Sequence, residues 1–335
     1  MSPLGEFALI ERYFRRPAQR AALGVGDDCA LLQPRPGTQL AISSDMLVEG
    51  RHFLATVDPA RLGHKALAVN LSDLAACGAT PLAFTLALAL PQVDEAWLGP
   101  FAQGLLALAD AHGCELVGGD TTRGPLNICI TVFGEVPVLH GRSQALLRSG
   151  AQAGDDLYVS GTLGDAALAL DVFRGRLSVP GAVLEAARAR LEQPTPRLAL
   201  GQALRGIASA AIDGSDGLLG DLGHILQQSG VGATVEVDIA TSLVAAKSYS
   251  TGANGQFEPQ PSQAAWRRWA LAGGDDYELL FTAPPAASAA VTAAAQASQT
   301  PVTRIGRIEA APGLRLLDGQ GRPLPNLYAS FDHFR

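Results

Sequence analysis

The chain has 335 residues, 47% hydrophobic and 17% charged, and carries a formal net charge of −7. That length accommodates two domains of ordinary size or one large α/β domain, and the composition excludes long disordered spans. The negative balance argues against nucleic acid as the main partner but leaves phosphorylated small molecules open, because glycine loops and bound cations override the global sign locally.

No apolar run reaches membrane-spanning length, and residues 1–7 lack the basic and then apolar pattern of a signal peptide, so the default expectation is a cytoplasmic protein without a membrane partner. Cys29, Cys77, Cys114 and Cys129 contain no Cys-x-x-Cys pair, which predicts buried free thiols rather than disulfides or zinc. Lysine occurs only at Lys65 and Lys247, so arginine does nearly all the cationic work.

In chain order, Phe7, Ile10 and Phe14 predict a short amphipathic helix ended by Pro17. Gly24-Val25-Gly26-Asp27-Asp28-Cys29 is a glycine-rich turn carrying paired carboxylates, either a solvated turn or a functional one. Residues 39–45 read as a strand that ends in Ser43, Ser44 and Asp45, the end where α/β folds place function. Residues 62–77 have helical spacing and place Asn70 and Asp73 on one face, where an acid is costly unless partnered.

A strand over 84–90 and a helix over 97–112 lead into Leu116-Val117-Gly118-Gly119-Asp120-Thr121-Thr122-Arg123-Gly124. An aliphatic run stopping at Gly-Gly lets backbone N–H groups approach an anion, and Asp120 beside them can hold a bridging cation; the same pattern also makes a hairpin turn. Residues 126–136 are apolar on both sides, as expected for a strand covered on both faces, lying inside a sheet or in a subunit interface. The division between domains is expected after residue 140, giving 1–140 and 141–335.

In the second half a strand over 157–160 is followed by helices over 165–173 and 183–192. A short strand over 208–212 delivers Asp213-Gly214-Ser215-Asp216-Gly217 to a helix running through Leu226, so two carboxylates three residues apart either share a metal-phosphate cluster or act as N-terminal helix acids. Residues 247–263 read as a polar excursion. A helix over 266–271 closes at Gly273-Gly274-Asp275-Asp276-Tyr277-Glu278, before an apolar strand, and 286–297 forms an alanine-rich helix. The terminal aromatics, Phe331 among them, either dock the tail or stack on a heteroaromatic ligand.

Acids at strand ends or first helical turns thus recur at Asp27-Asp28, Asp45, Asp73, Asp120, Asp213 with Asp216, and Asp275-Asp276. Magnesium keeps several waters and shares substrate phosphates, so a polyphosphate site calls for scattered carboxylates rather than a compact cage. No Gly-x-x-x-x-Gly-Lys-Ser/Thr loop, His-Arg-Asp loop, Gly-x-Ser-x-Gly elbow or His-Glu-x-x-His appears. What remains is metal-dependent phosphoryl chemistry on another scaffold.

These motifs, together with Met46-Leu47-Val48-Glu49-Gly50-Arg51-His52-Phe53 and Val69-Asn70-Leu71-Ser72-Asp73-Leu74, resemble the thiamine-monophosphate kinases of the aminoimidazole ribonucleotide synthetase-like superfamily over nearly the whole chain. The resemblance implies an α/β fold of α+β type, two domains with mixed sheets covered by helices, and a homodimer built on the N-terminal domains. It implies transfer of phosphate from ATP to thiamine monophosphate with several Mg²⁺ ions and no general base. By position, Asp28, Ser43, Ser44, Asp45, Asp73, Asp120, Asp213 and Asp216 would be magnesium-site residues; Gly119, Asp120, Arg148 and Ser215 would meet the nucleotide phosphates; His52, Asp275 and Phe331 would face thiamine monophosphate. Asp275 stands where the family usually has glutamate, and Gly214 where it usually has a bulkier residue. The alternatives are a related ATP-dependent synthetase, or a non-catalytic nucleotide-binding maturation protein. Selenide chemistry would call for a cysteine within 1–23, and a maturation relative for a terminal cysteine; neither is present.

Overall fold

A computed structural model describes residues 5–250 and 257–328. The chain divides into two compact units, Met1–Leu74 with Ala79–Gln144 and Ala75–Gly78 with Ala145–Arg335. In order, the first half carries α1 (Glu6–Tyr13), β1 (Thr38–Val48), α2 (Pro59–Ala76), β2 (Thr80–Leu90), α3 (Glu95–His112), β3 (Glu115–Arg123), β4 (Asn127–Leu139) and β5 (Arg142–Ser143). The second carries β6 (Asp156–Ser160), α4 (Asp165–Phe173), α5 (Gly181–Glu192), α6 (Leu198–Ala203), β7 (Ala210–Asp213), α7 (Leu218–Ser229), β8 (Gly232–Glu236), α8 (Val237–Ser242), α9 (Lys247–Ser250), α10 (Gln263–Ala272), β9 (Leu279–Ala283), α11 (Ser288–Ala297), β10 (Val302–Glu309), β11 (Gly313–Leu317) and β12 (Pro323–Leu324).

The first sheet has the order β1-β4-β2-β3, with β5 pairing β4; β4 runs antiparallel to both β1 and β2, and β2 and β3 run parallel. α2 begins where the Asp58 side chain accepts the N–H groups of Ala60 (2.9 Å) and Arg61 (3.1 Å). α3 begins at the Asp94 cap and stops at Gly113 in left-handed conformation. Leu62, Leu67, Leu71 and Leu74 of α2, Leu98, Phe101 and Leu105 of α3, and Phe84, Leu88, Ile128, Ile130 and Val132 of the sheet are all buried.

β4 differs from the expected strand covered on both faces: Ile128, Ile130 and Val132 are buried, while Asn127, Cys129, Thr131 and Phe133 alternate with them and are only half-buried. The same alternation leaves Leu40, Ile42 and Met46 of β1 exposed. At α1 Leu9 and the following Phe14 are buried, Ile10 is half-buried and Phe7 is exposed, so the Phe7, Ile10, Phe14 face is covered only towards its C-terminal end.

The second sheet has the order β12-β11-β8-β10-β6-β9-β7. One apolar cluster gathers Leu157, Val159, Leu168, Leu222, Ile225, Val235, Trp266, Trp269 and Leu280 around it. Phe257 joins that cluster, its ring 5.9 Å from Trp266, so the polar excursion is anchored at that residue. The cysteines are free, but only Cys114 is buried; Cys29 is exposed and Cys77 and Cys129 are half-buried, against the expectation of buried thiols throughout. Burial pushes the Cys114 thiol up to about 12, which keeps it inert.

Candidate active site

The long strand β1 and the helix α2 set out the first group of polar residues. Asp73, in the last turns of α2 rather than the first, accepts a short hydrogen bond from the Ser43 hydroxyl. Three residues earlier, the buried Asn70 anchors its own amide on the Ala66 carbonyl (3.0 Å) and accepts the Asp45 N–H at 3.1 Å. Helix periodicity and strand periodicity meet here: positions 70 and 73 share a helix face, and 43 and 45 share a strand face. Ser44 points the other way, its hydroxyl 3.0 Å from that of Thr131.

Gly118 to Arg123 neither turns nor stops: the whole stretch continues as β3, parallel to β2. Gly119 explains why. With φ at +146°, it brings its Cα so close to the Leu86 carbonyl that a Cβ would lie 1.8 Å from that oxygen. Glycine is thus required here by the neighbouring strand, and the chain can cross the irregularity near Phe84 and Thr85 without leaving the sheet. Asp120 is exposed. Register puts it beside Ala87, which pairs with Cys129, which pairs with Met46. These four line one cavity of about 330 Å³ together with Thr122 and Asn127. Asp45 falls in the adjacent row, with Ile130, Leu86 and Gly119, so Asp120 lies on the opposite face of the sheet from Asp45 and from the Ser43–Asp73 hydrogen bond. Asp27 and Asp28 sit exposed in a loop closed by the Leu23–Leu31 bridge, and the Asp27 carboxylate accepts the Asp28 N–H at 2.9 Å. Among the described residues, no three His, Cys, Asp or Glu side chains converge into a metal-holding group.

In the second unit, the turns 213–217 and 273–278 are laced together. Gly214 N–H donates to the Glu278 carbonyl (2.7 Å), Asp275 N–H to Ser215 (2.8 Å) and Tyr277 N–H to Gly214 (2.8 Å). Asp275 and Tyr277 adopt φ of +67° and +50°, conformations that cost free energy in residues with side chains and persist only where surroundings enforce them. Aspartate enters that region more readily than glutamate, which gives the shorter acid at 275 a physical reason. Asp213 is buried at the end of β7, and Asp216 is half-buried.

Three acids hold this pair of turns: Asp276, which the sequence singled out, and Asp221 and Glu278, which it did not. Asp221, in the first turn of α7, accepts the N–H groups of Asp216 (3.2 Å) and Gly217 (3.1 Å). Burial, and then the neighbouring Asp216 carboxylate, push it up to about 7, against the pull of Arg148. Asp276 accepts the Gly164 N–H at 2.8 Å and is raised well above the carboxylate range, chiefly by burial. Glu278, 1% exposed, receives Arg190 (2.7 Å), both Nε (2.7 Å) and Nη2 (2.6 Å) of Arg197, and the Ser160 hydroxyl (2.5 Å). An acid in a first helical turn is a legible sign of Asp221; nothing in the sequence marks Arg190 and Arg197 as partners of Glu278. Arg148 is exposed, its carbonyl accepting the Ser229 hydroxyl at 3.3 Å. His52 is half-buried in the turn after β1. Phe331 lies outside the described residues, and Tyr328 packs against the apolar cluster of the second unit.

Models of the AIR synthase related protein family match in two parts, the N-terminal domain over residues 26–136 and the C-terminal domain over 152–319. The thiamine-monophosphate kinase of Salmonella typhimurium is 47% identical over 335 residues, covering 98% of each chain. The chain belongs to the thiamine-monophosphate kinase family. It is an enzyme, a kinase, with the two-part mixed α/β architecture of that family. The crystal structure of a thiamine-monophosphate kinase from Stenotrophomonas maltophilia superposes with a TM-score of 0.80 at 45% identity, covering 94% of this chain and 95% of that one. AaThiL complexed with AMPPCP and TMP superposes with a TM-score of 0.73 at 28% identity, over 90% and 89% of the two chains. Among the described residues, no helix is long and apolar enough to cross a membrane.

Proposed function

We propose that the chain converts thiamine monophosphate to thiamine diphosphate by one direct in-line transfer. An oxygen of the thiamine monophosphate phosphate forms a bond to the γ-phosphorus of ATP while the bond from that phosphorus to the β–γ bridging oxygen breaks, releasing ADP. A phosphate monoester with a second pKa near ~6 is mostly dianionic at neutral pH, so the attacking oxygen needs no general base. The barrier is repulsion between anions, and the protein's task is to position them.

The observation that carries this reading is the fixed geometry of β1 and α2, in which Asn70 orients Asp45 and Ser43 meets Asp73. All of these are oxygen donors, the type that suits magnesium, and each ion needs only one or two carboxylates when phosphates and waters complete its shell. Asp45, Asp73 and Ser43, with Asp28, Ser44 and Asp120, would hold Mg²⁺ in the first unit, and Asp213 and Asp216 in the second. Bound there, the ions would neutralise phosphate charge and align the transferring group. Gly119, Asp120, Arg148 and Ser215 are assigned to the nucleotide phosphates, and His52, Asp275 and Phe331 to thiamine monophosphate. The complex of AaThiL with AMPPCP and TMP supports ATP and thiamine monophosphate as the two substrates.

The exposed apolar side chains Leu40, Ile42 and Met46 on one face of β1 support a homodimer formed through the first unit. A cytoplasmic location belongs to the same reading and is in keeping with ATP and a thiamine phosphate as substrates. The test is to incubate protein, ATP, Mg²⁺ and thiamine monophosphate and follow thiamine diphosphate and ADP, with a parallel search for phosphoprotein. Equal amounts of both products and no phosphoprotein are expected; a covalent phosphoprotein formed and consumed at the rate of turnover would exclude direct transfer.

A further inference from the structure

Lys65 is one of two lysines in the chain, and it is 2% exposed. Taking an ammonium out of water costs several kcal/mol, and on α2 a leucine or methionine would fill the same volume without that cost. One contact of the ammonium reaches the turn after β1: Lys65 Nζ donates to the carbonyl of His52 at 3.3 Å.

His52 is held at two further points. Its N–H donates to the Val48 carbonyl at 3.0 Å, and its ring Nδ1 accepts the Val48 N–H, also at 3.0 Å. The turn between them is closed by Arg51 N–H on the Val48 carbonyl (3.1 Å) and Gly50 N–H on the Phe53 carbonyl (2.8 Å). A backbone N–H can only donate, so Nδ1 carries a lone pair and the proton of the neutral ring resides on Nε2. In this state Nε2–H is a hydrogen-bond donor, neither a proton acceptor nor a metal ligand. The same helix orients Asp45 through Asn70, so α2 serves as a common polar spine for β1 and the turn that follows it.

We propose that Lys65 is a positioning residue: by holding the His52 carbonyl it fixes the 48–53 turn, so that His52 offers Nε2–H to an acceptor atom of the phosphorylated substrate. The proposal rests on the reading that His52 meets thiamine monophosphate.

Two measurements test it. In protein labelled with ¹⁵N-histidine, long-range ¹H–¹⁵N correlations report which ring nitrogen of His52 carries the proton; the Nε2–H form is expected at pH 8. Steady-state kinetics of Lys65→Met should show KM for thiamine monophosphate raised about tenfold, the scale of one well-placed hydrogen bond. Under the same conditions kcat should stay within about twofold and KM for ATP should be unchanged, and Lys65→Arg, which keeps a charged donor, should recover most of the loss. A lysine that only filled space would lower thermal stability without separating the two KM values. If Lys65→Met does not fold, Lys65→Gln replaces it, and the wild-type tautomer is read regardless. An Nδ1–H tautomer, or a Lys65 variant with unaltered KM while His52→Ala raises it, overturns the proposal. Unaltered KM in His52→Ala itself overturns the assignment of His52 to the substrate, and the proposal falls with it for that separate reason.

Discussion

Gly118-Gly119-Asp120 and Gly273-Gly274-Asp275-Asp276 are nearly the same words at two places in the chain, and their surroundings separate them. The first runs straight through a strand, its second glycine pressed against the Leu86 carbonyl, and it leaves Asp120 exposed beside a cavity of about 330 Å³. The second is a turn with two non-glycine residues at positive φ, tied to the 213–217 turn by three backbone hydrogen bonds, with Asp276 and Glu278 buried beneath it. An exposed acid retains its lone pairs for a ligand. Asp276 and Glu278 have instead committed theirs to the protein or taken up a proton. The lesson is that a glycine-acid pattern marks a place where the backbone is special, and at these two stretches burial separates Asp120, open to a ligand, from Asp276 and Glu278, which serve the turn.

The sharpest way to break this contrast is Glu278→Ala. Removing the carboxylate leaves Arg190 and Arg197 facing each other without their counter-charge, and a loss of about 3–5 kcal/mol in unfolding free energy is expected by denaturant titration. A loss below about 1 kcal/mol would mean that the network does not support the turns. Next comes Gly119→Ala, where the methyl would collide with Leu86; a cost of about 2–3 kcal/mol is expected even though the position is exposed, read as a lowered melting temperature.

A subtler effect follows from the protonation of Asp276. Its pKa is raised in the folded state, so the native protein binds a proton that the unfolded chain releases above the ordinary carboxylate value of 3.8. The stability contribution is complete below that value and is lost as pH rises through the folded-state pKa; Asp221, raised to about 7, adds to the same trend. Melting temperature should therefore fall between pH 5 and pH 8 in the wild type, and fall less in Asp276→Asn. An identical slope in the two proteins would place the proton elsewhere. At the bottom of the scale, Arg15→Ala breaks an exposed ion pair with Glu11 outside both turns, and the melting temperature should stay at the wild-type value.

The helices over 97–112 and 165–173 were legible from periodicity, because their apolar positions recur every third and fourth residue and Gly113 or Asp165 marks an end. The motif acids were legible as a set. Their facing was not: whether Asp45 and Asp120 share a side of the sheet depends on the pairing of β1, β4, β2 and β3, which no local pattern encodes. β8, β10 and β11 escaped the sequence reading because Gly232, Thr234, Thr303 and Gly306 interrupt the apolar pattern of the first two, and because all three pair with strands distant in the chain. Lys65 escaped for a different reason, since burial of a lysine is a property of packing that a helical wheel treats as an exception.

The most direct test is turnover of Asp120→Asn beside Asp276→Asn at saturating Mg²⁺ and matched folded protein. The account predicts that Asp120→Asn loses about 100-fold or more in kcat with its melting temperature nearly unchanged, while Asp276→Asn keeps turnover within about threefold. Full turnover in Asp120→Asn, or an equal collapse in both, would contradict it.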